Sequence, residues 1–91
     1  MDLERDVEQR LVSLVEQAGG ICLKAGQDGW PDRIVMLPGG TIVWVELKRP
    51  KGTLKGLQIY RATQLAKVGQ QVVCLYSVPE VNEFMIELCG E

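Results

Sequence analysis

Ninety-one residues and 10.1 kDa allow one small domain, which on folding withdraws about 60–65% of its unfolded surface from water. A hydrophobic fraction of 46% and a mean hydropathy of +0.04 exclude a disordered tail; no apolar run spans a bilayer and no signal peptide opens the chain. Histidine is absent, which excludes His-based general base catalysis and His metal sites, and the net charge of −2 does not announce a polyanionic partner.

Leu3, Val7, Leu11, Leu14, Val15 and Ala18 recur at helical spacing and predict an amphipathic helix over 2–18 that stops at Gly19-Gly20. Ile21 to Lys24 predicts a short strand, and Ala25 to Pro31 a loop by its glycines and proline. Strands follow over 32–37 and 41–48, joined by Pro38-Gly39-Gly40 into an antiparallel hairpin. Arg49-Pro50-Lys51-Gly52 breaks the sheet, and Thr53 is placed to cap a helix running to about Val68 and stopping at Gly69. Gln71 to Tyr76 is a β-branched strand. Ser77-Val78-Pro79-Glu80 reads as a capping box opening a last helix through about Cys89. The order is α-β-β-β-α-β-α, one α/β domain over residues 1–91 with a mixed central sheet flanked by helices. Cys22, Cys74 and Cys89 form no CxxC pair and are odd in number, which fits reduced core thiols in the cytoplasm.

The net charge hides a strong asymmetry. Residues 1–46 are net −4 and residues 80–91 net −4, while residues 47–79 hold six bases and no acid. Such a segment is a candidate electrostatic footprint for a polyanion, although most charge runs are simply solvated surface.

The candidate chemistry lies in the hairpin. Alternation along the third strand puts Glu46 and Lys48 on one face and Val45 and Leu47 on the other. Pairing Leu37 with Thr41 across the turn sets Asp32 opposite Glu46, which makes two carboxylates and one amine neighbours. Paired carboxylates repel unless a cation lies between them, and their hard oxygens suit Mg²⁺ or Mn²⁺. Such a cation polarises a phosphoryl oxygen and activates water, and Lys48 would help neutralise developing charge. An isolated ExK triplet, by contrast, is usually a surface ion pair worth about 0–1 kcal/mol.

The spacing shifts that balance. Gly29-Trp30-Pro31-Asp32-Arg33 followed by Glu46-x-Lys48 resembles the PD-(D/E)XK nuclease signature. With Glu8, Pro38-Gly39-Gly40, Val45-Glu46-Leu47-Lys48-Arg49-Pro50, Gly52, Leu54 and Gln58, the chain more narrowly resembles the VRR-NUC family from about Glu4 to Ser77. The resemblance implies a PD-(D/E)XK, restriction-endonuclease-like core. It implies metal ligation by Asp32, Glu46 and the Leu47 carbonyl, with Lys48 as catalytic lysine and Gln58 facing the site. Glu8 matches the acid of the first helix, acting on the metal directly or through water. Glu4 shares that side of the helix, but Glu8 is preferred because it lies a turn deeper and frays less.

Lys24, Arg49, Lys51 and Lys55 are the candidate phosphate contacts. Arg33 alternates to the opposite face, where it should meet an acid. Trp30 is assigned to packing under its loop and Trp44 to the core. The implied activity is Mg²⁺- or Mn²⁺-dependent DNA cleavage without an organic cofactor, in the cytoplasm of a bacterial or phage-infected cell. A compact version without accessory domains would gain selectivity for four-way (Holliday) junctions as a homodimer. The last helix, with Val81, Phe84, Met85 and Leu88, offers either a dimer surface or packing for its own sheet. A branched-DNA-binding module that recruits a partner, and a flap or duplex nuclease, are the competing readings.

Overall fold

The computed structural model describes residues 3–90. Its elements follow the expected order: α1 (Glu4–Gln17), β1 (Ile21–Lys24), a single 3₁₀ turn (Gln27–Gly29), β2 (Arg33–Leu37), β3 (Thr41–Leu47), α2 (Gly56–Lys67), β4 (Val72–Leu75) and α3 (Val78–Cys89). The sheet order is β1-β2-β3-β4, with antiparallel pairing across the first three strands and β4 parallel to β3. A parallel return needs a crossover, and α2 supplies it. The domain is α/β with a mixed sheet flanked by helices.

The two faces of the sheet differ sharply. Val35 and Leu37 of β2, Val43, Val45 and Leu47 of β3 and Leu75 of β4 point to one side. There they meet Val7, Leu11 and Val15 of α1 and Val81 and Met85 of α3 in one buried core. Spacings of four residues on α1 and α3 and of two on the strands make those contacts possible. Phe84 and Leu88 also pack against this core, so α3 is committed to its own sheet and the dimer surface expected on it is not free there. The opposite face is covered by α2, whose one buried residue is Leu65, and by the loop that carries Trp30. Ile21, Leu23 and Ile42 stay exposed on that side, as do Leu57 and Tyr60 on α2 and Val68 just past its end.

Element ends depart from expectation where side chains, not composition, decide them. Thr53 does not cap α2. The helix starts three residues later, with Lys55 at the cap and Gln58 Oε1 accepting the Lys55 N–H at 2.8 Å. The Ser77 hydroxyl caps α3 by accepting the Glu80 N–H at 3.2 Å, while Glu80 Oε1 accepts from Tyr76 N instead of closing the box on Ser77. All three cysteines are free. Cys22 and Cys74 are half-buried, but Cys89 is exposed at the end of α3 and is no core thiol. Among the described residues no helix is long and apolar enough to cross a membrane.

The asymmetry of the layers sets where substitutions hurt. Leu11→Ala empties a fully buried position and should cost about 2–5 kcal/mol in urea unfolding. Val68→Ala, at a side chain 73% exposed, should change stability by about 0.5 kcal/mol or less.

Candidate active site

The β2–β3 register builds the site. Leu37 pairs with Thr41 and Arg33 with Val45, so Asp32, one residue before β2, stands opposite Glu46. Asp32 Oδ2 accepts the Leu47 N–H at 2.8 Å, which satisfies a backbone donor at the end of β3 and aims the carboxylate along that strand. Its neighbour Glu46 is only 5% exposed, the one charged residue type in the buried set. Burial, a side-chain hydrogen bond to Asp32 and the Asp32 charge together push the Glu46 carboxyl up to about 8, with Lys48 opposing them. The Glu46 carboxyl therefore keeps its proton at neutral pH.

Gly26 forms one wall of this pair. It has φ +98°, and a Cβ there would lie 3.3 Å from Asp32 Oδ1. Loop 25–31 is fastened beside it, since the Ala25 N–H donates to the Asp32 carbonyl at 2.7 Å. On the other side a groove of about 530 Å³ runs between the sheet and α2, lined by Glu46, Gln58, Ile59, Ala62 and Cys74 among others. Gln58 thus reaches the same groove as Glu46. Its carbonyl oxygen is engaged at the Lys55 N–H, which leaves its NH₂ to donate.

Glu8 is not with this pair. Arg33 projects to the α1 side and its Nε donates to Glu8 Oε2 at 2.8 Å, while Nη1 donates to the Cys22 carbonyl at 3.0 Å. Arg33 meets an acid as alternation required, and that acid is the one expected at the metal. Among the α1 acids it is Glu4 whose charge acts on Glu46. A helical wheel puts Glu4 and Glu8 on one side but does not say which end of the helix overhangs the carboxylates. Arg33, sitting next to Asp32 in sequence, takes the deeper residue.

Lys48 is half-buried on the Glu46 face, and a turn closed by the Gly52 N–H donating to the Arg49 carbonyl follows it. Lys24, Arg49, Lys51 and Lys55 are all exposed. Lys51 holds φ +67°, a strained left-handed conformation for a residue with a side chain. Arg61, counted only as one more base in the sequence, proves structural. Its Nε donates to the Asp28 carbonyl at 3.1 Å and its guanidinium lies over the Trp30 ring at 4.6 Å, fastening α2 to the loop before Asp32. No periodicity announces it, because its partners lie in an irregular loop.

The donors suit a hard divalent cation. Asp32 and Glu46 offer carboxyl oxygens side by side, and burial with the nearby Asp32 charge is what raises the Glu46 carboxyl. Among the described residues no group of three or more Asp, Glu, Cys or His comes together, so the set is two carboxylates with backbone, a number Mg²⁺ accepts when water completes its shell.

No family model matches the sequence. A phage protein carrying the name "Putative nuclease p44", from Acyrthosiphon pisum secondary endosymbiont phage 1, is 40% identical over 88 residues, covering 87% of this chain and 95% of that one. A solved structure described as "VRR_NUC domain" superposes with a TM-score of 0.83 at 28% identity, over 90% of this chain and 92% of its own.

The proton on Glu46 gives a stability signature without metal. Unfolded, the carboxyl ionises near 4.5; folded, it keeps its proton to about 8, so this group favours the folded state at low pH and that advantage is lost as pH rises through about 8. In EDTA, Glu46→Gln should gain stability relative to the unsubstituted protein between those values, by up to about 1.4 kcal/mol per pH unit. Urea unfolding at several pH values measures the difference; a pH-independent one would contradict the raised Glu46 carboxyl.

Proposed function

The chain belongs to the VRR-NUC family and is a nuclease, and on that premise we propose a divalent-metal-dependent DNA endonuclease of the PD-(D/E)XK type. The observation that carries this reading is the buried Glu46 carboxyl held against Asp32. A surface that only binds phosphates gains nothing from a buried acid, which weighs against a pure binding module.

In this reading Asp32, Glu46 and the Leu47 carbonyl hold Mg²⁺ or Mn²⁺. When bound, the cation supplies Lewis acidity at the phosphate and relieves the repulsion between the carboxylates. Lys48, two residues beyond Glu46 on the same strand face, offsets negative charge on the reacting phosphate and orients the attacking water. The Gln58 NH₂ donates into the groove and steadies that water or the phosphate. Glu4 replaces Glu8 as the α1 acid that approaches the site. Lys24, Arg49, Lys51 and Lys55 hold flanking phosphates, and the turn that presents Lys51 is strained to do so.

Selectivity for branched DNA is assigned to a two-fold homodimer, whose two sites address opposing strands of a four-way junction. With α3 absorbed in the core, pairing falls to another surface.

Labelled four-way junction, flap and duplex DNA incubated with Mg²⁺ or Mn²⁺ tests the reading. Symmetric paired nicks on the junction are expected, from a protein whose solution mass is that of a dimer. Asp32→Ala and Lys48→Ala should each lower the rate by about 100-fold or more. Cleavage that survives Asp32→Ala, or binding without cleavage in either metal, would overturn the assignment.

The two α1 acids separate by a second comparison. Glu4→Gln should slow cleavage. Glu8→Ala should leave the rate near its original value but cost about 1–3 kcal/mol of stability by unpairing Arg33.

A further inference from the structure

We propose that the hollow walled by Trp30 and Trp44 is a stacking site for an unpaired nucleobase of the DNA strand whose phosphate lies at Asp32. The inference rests on the nuclease reading and adds to it the feature of the substrate that the protein grips.

The hollow has a volume of about 660 Å³, and Lys24, Gly26, Trp30, Ile34, Trp44 and Leu65 line it. Both tryptophans of the chain are there. Their ring centres are 6.3 Å apart and their planes inclined by 43°, a tilted contact in which the two rings together wall the hollow. Each ring is held by a polar partner. Trp44 Nε1 donates to Gln70 Oε1 at 3.2 Å, and Arg61 lies over Trp30 while bonded to the Asp28 carbonyl. Rings held in this way meet a flat partner without first losing their own freedom.

Three features select a nucleobase as the occupant. No acid lines the hollow, and its one charged side chain is Lys24, exposed at the rim and able to hold the phosphate of the stacked nucleotide. Gly26 belongs at once to the wall of the hollow and to the wall of Asp32, so a base seated here keeps its strand at the carboxylate pair. Bases within a duplex are stacked on each other, whereas a branch point supplies bases free to turn outward.

Because the chain has only these two tryptophans, its indole emission reports on the hollow alone. The full chain, in EDTA, is titrated with branched DNA carrying one unpaired thymine at the branch, and with the same DNA carrying an abasic residue there. Thymine DNA should quench the emission, and the abasic DNA should bind about 5–150-fold more weakly without quenching. Trp44→Leu should bring the two affinities together; its far-ultraviolet circular dichroism shows whether it folds, and Lys24→Ala, at an exposed position, should weaken thymine binding in any case. Equal affinity and equal emission with the two DNAs would overturn the proposal. So would emission that shifts on diluting the free protein, which would place a second copy of the chain in the hollow. Cleavage of the same thymine DNA in Mg²⁺ is followed in parallel. Cleavage without base-dependent quenching refutes the stacking site and leaves the nuclease; base-dependent quenching without cleavage in any metal does the reverse.

Discussion

Asp32 faces Glu46 because Leu37 faces Thr41 at the other end of the same ladder, and every property of the site follows from that register. A slip of one residue would turn Glu46 toward Val7 and Leu11 and expose Val45 and Leu47. The core forbids it, since Val35, Leu37, Val43, Val45 and Leu47 must all point to α1 and α3 together. Five apolar side chains on one face therefore fix the position of a carboxyl pair on the other. The hydrogen bond from Leu47 N to Asp32 completes the arrangement at the point where the ladder ends.

The division of labour between the two faces explains how a small domain tolerates a buried, protonated acid. Stability is concentrated on the α1–α3 side, where the fully buried side chains collect. The α2 side contributes little burial and keeps a groove and a tryptophan-walled hollow open. Helix α2 is tied to the loop before Asp32 through Arg61 and through Leu57 packed on Gly29. Sites of binding and catalysis belong in such thinly packed regions, because a region held by the full core cannot admit a ligand.

Local rules made the hairpin, its register, the order of elements and the split of β3 into apolar and polar faces legible in the sequence. Each depends on alternation or on a turn within a few residues. What was not legible depends on distances between elements. Alternation sent Arg33 to the far face, yet only the packing of α1 on the sheet decides that Glu8 meets it. Thr53 had the chemistry of a cap, but Gln58 claimed the helix start from inside the helix. The apolar stripe of α3 served a dimer or its own core equally well until α1 was seen beside it. Asp28 and Lys51 at positive φ, and the stack of Arg61 on Trp30, lie in irregular backbone where periodicity has nothing to say.

The Arg33–Glu8 pair also bears on the electrostatics of the site from which it is absent. Arg33 is adjacent to Asp32 in the chain, and an arginine on the same face would neutralise that carboxylate itself. A divalent cation would then meet a pair already satisfied. Alternation carries Arg33 to the opposite face, where Glu8 and the Cys22 carbonyl engage it. Asp32 and Glu46 are left with Lys48 and the proton on Glu46 as their positive partners. A proton is readily exchanged for a divalent cation, whereas a bonded guanidinium is not. The strand has thus already turned Arg33 away from the carboxyl pair, and Glu8 neutralises it on the α1 side of the sheet.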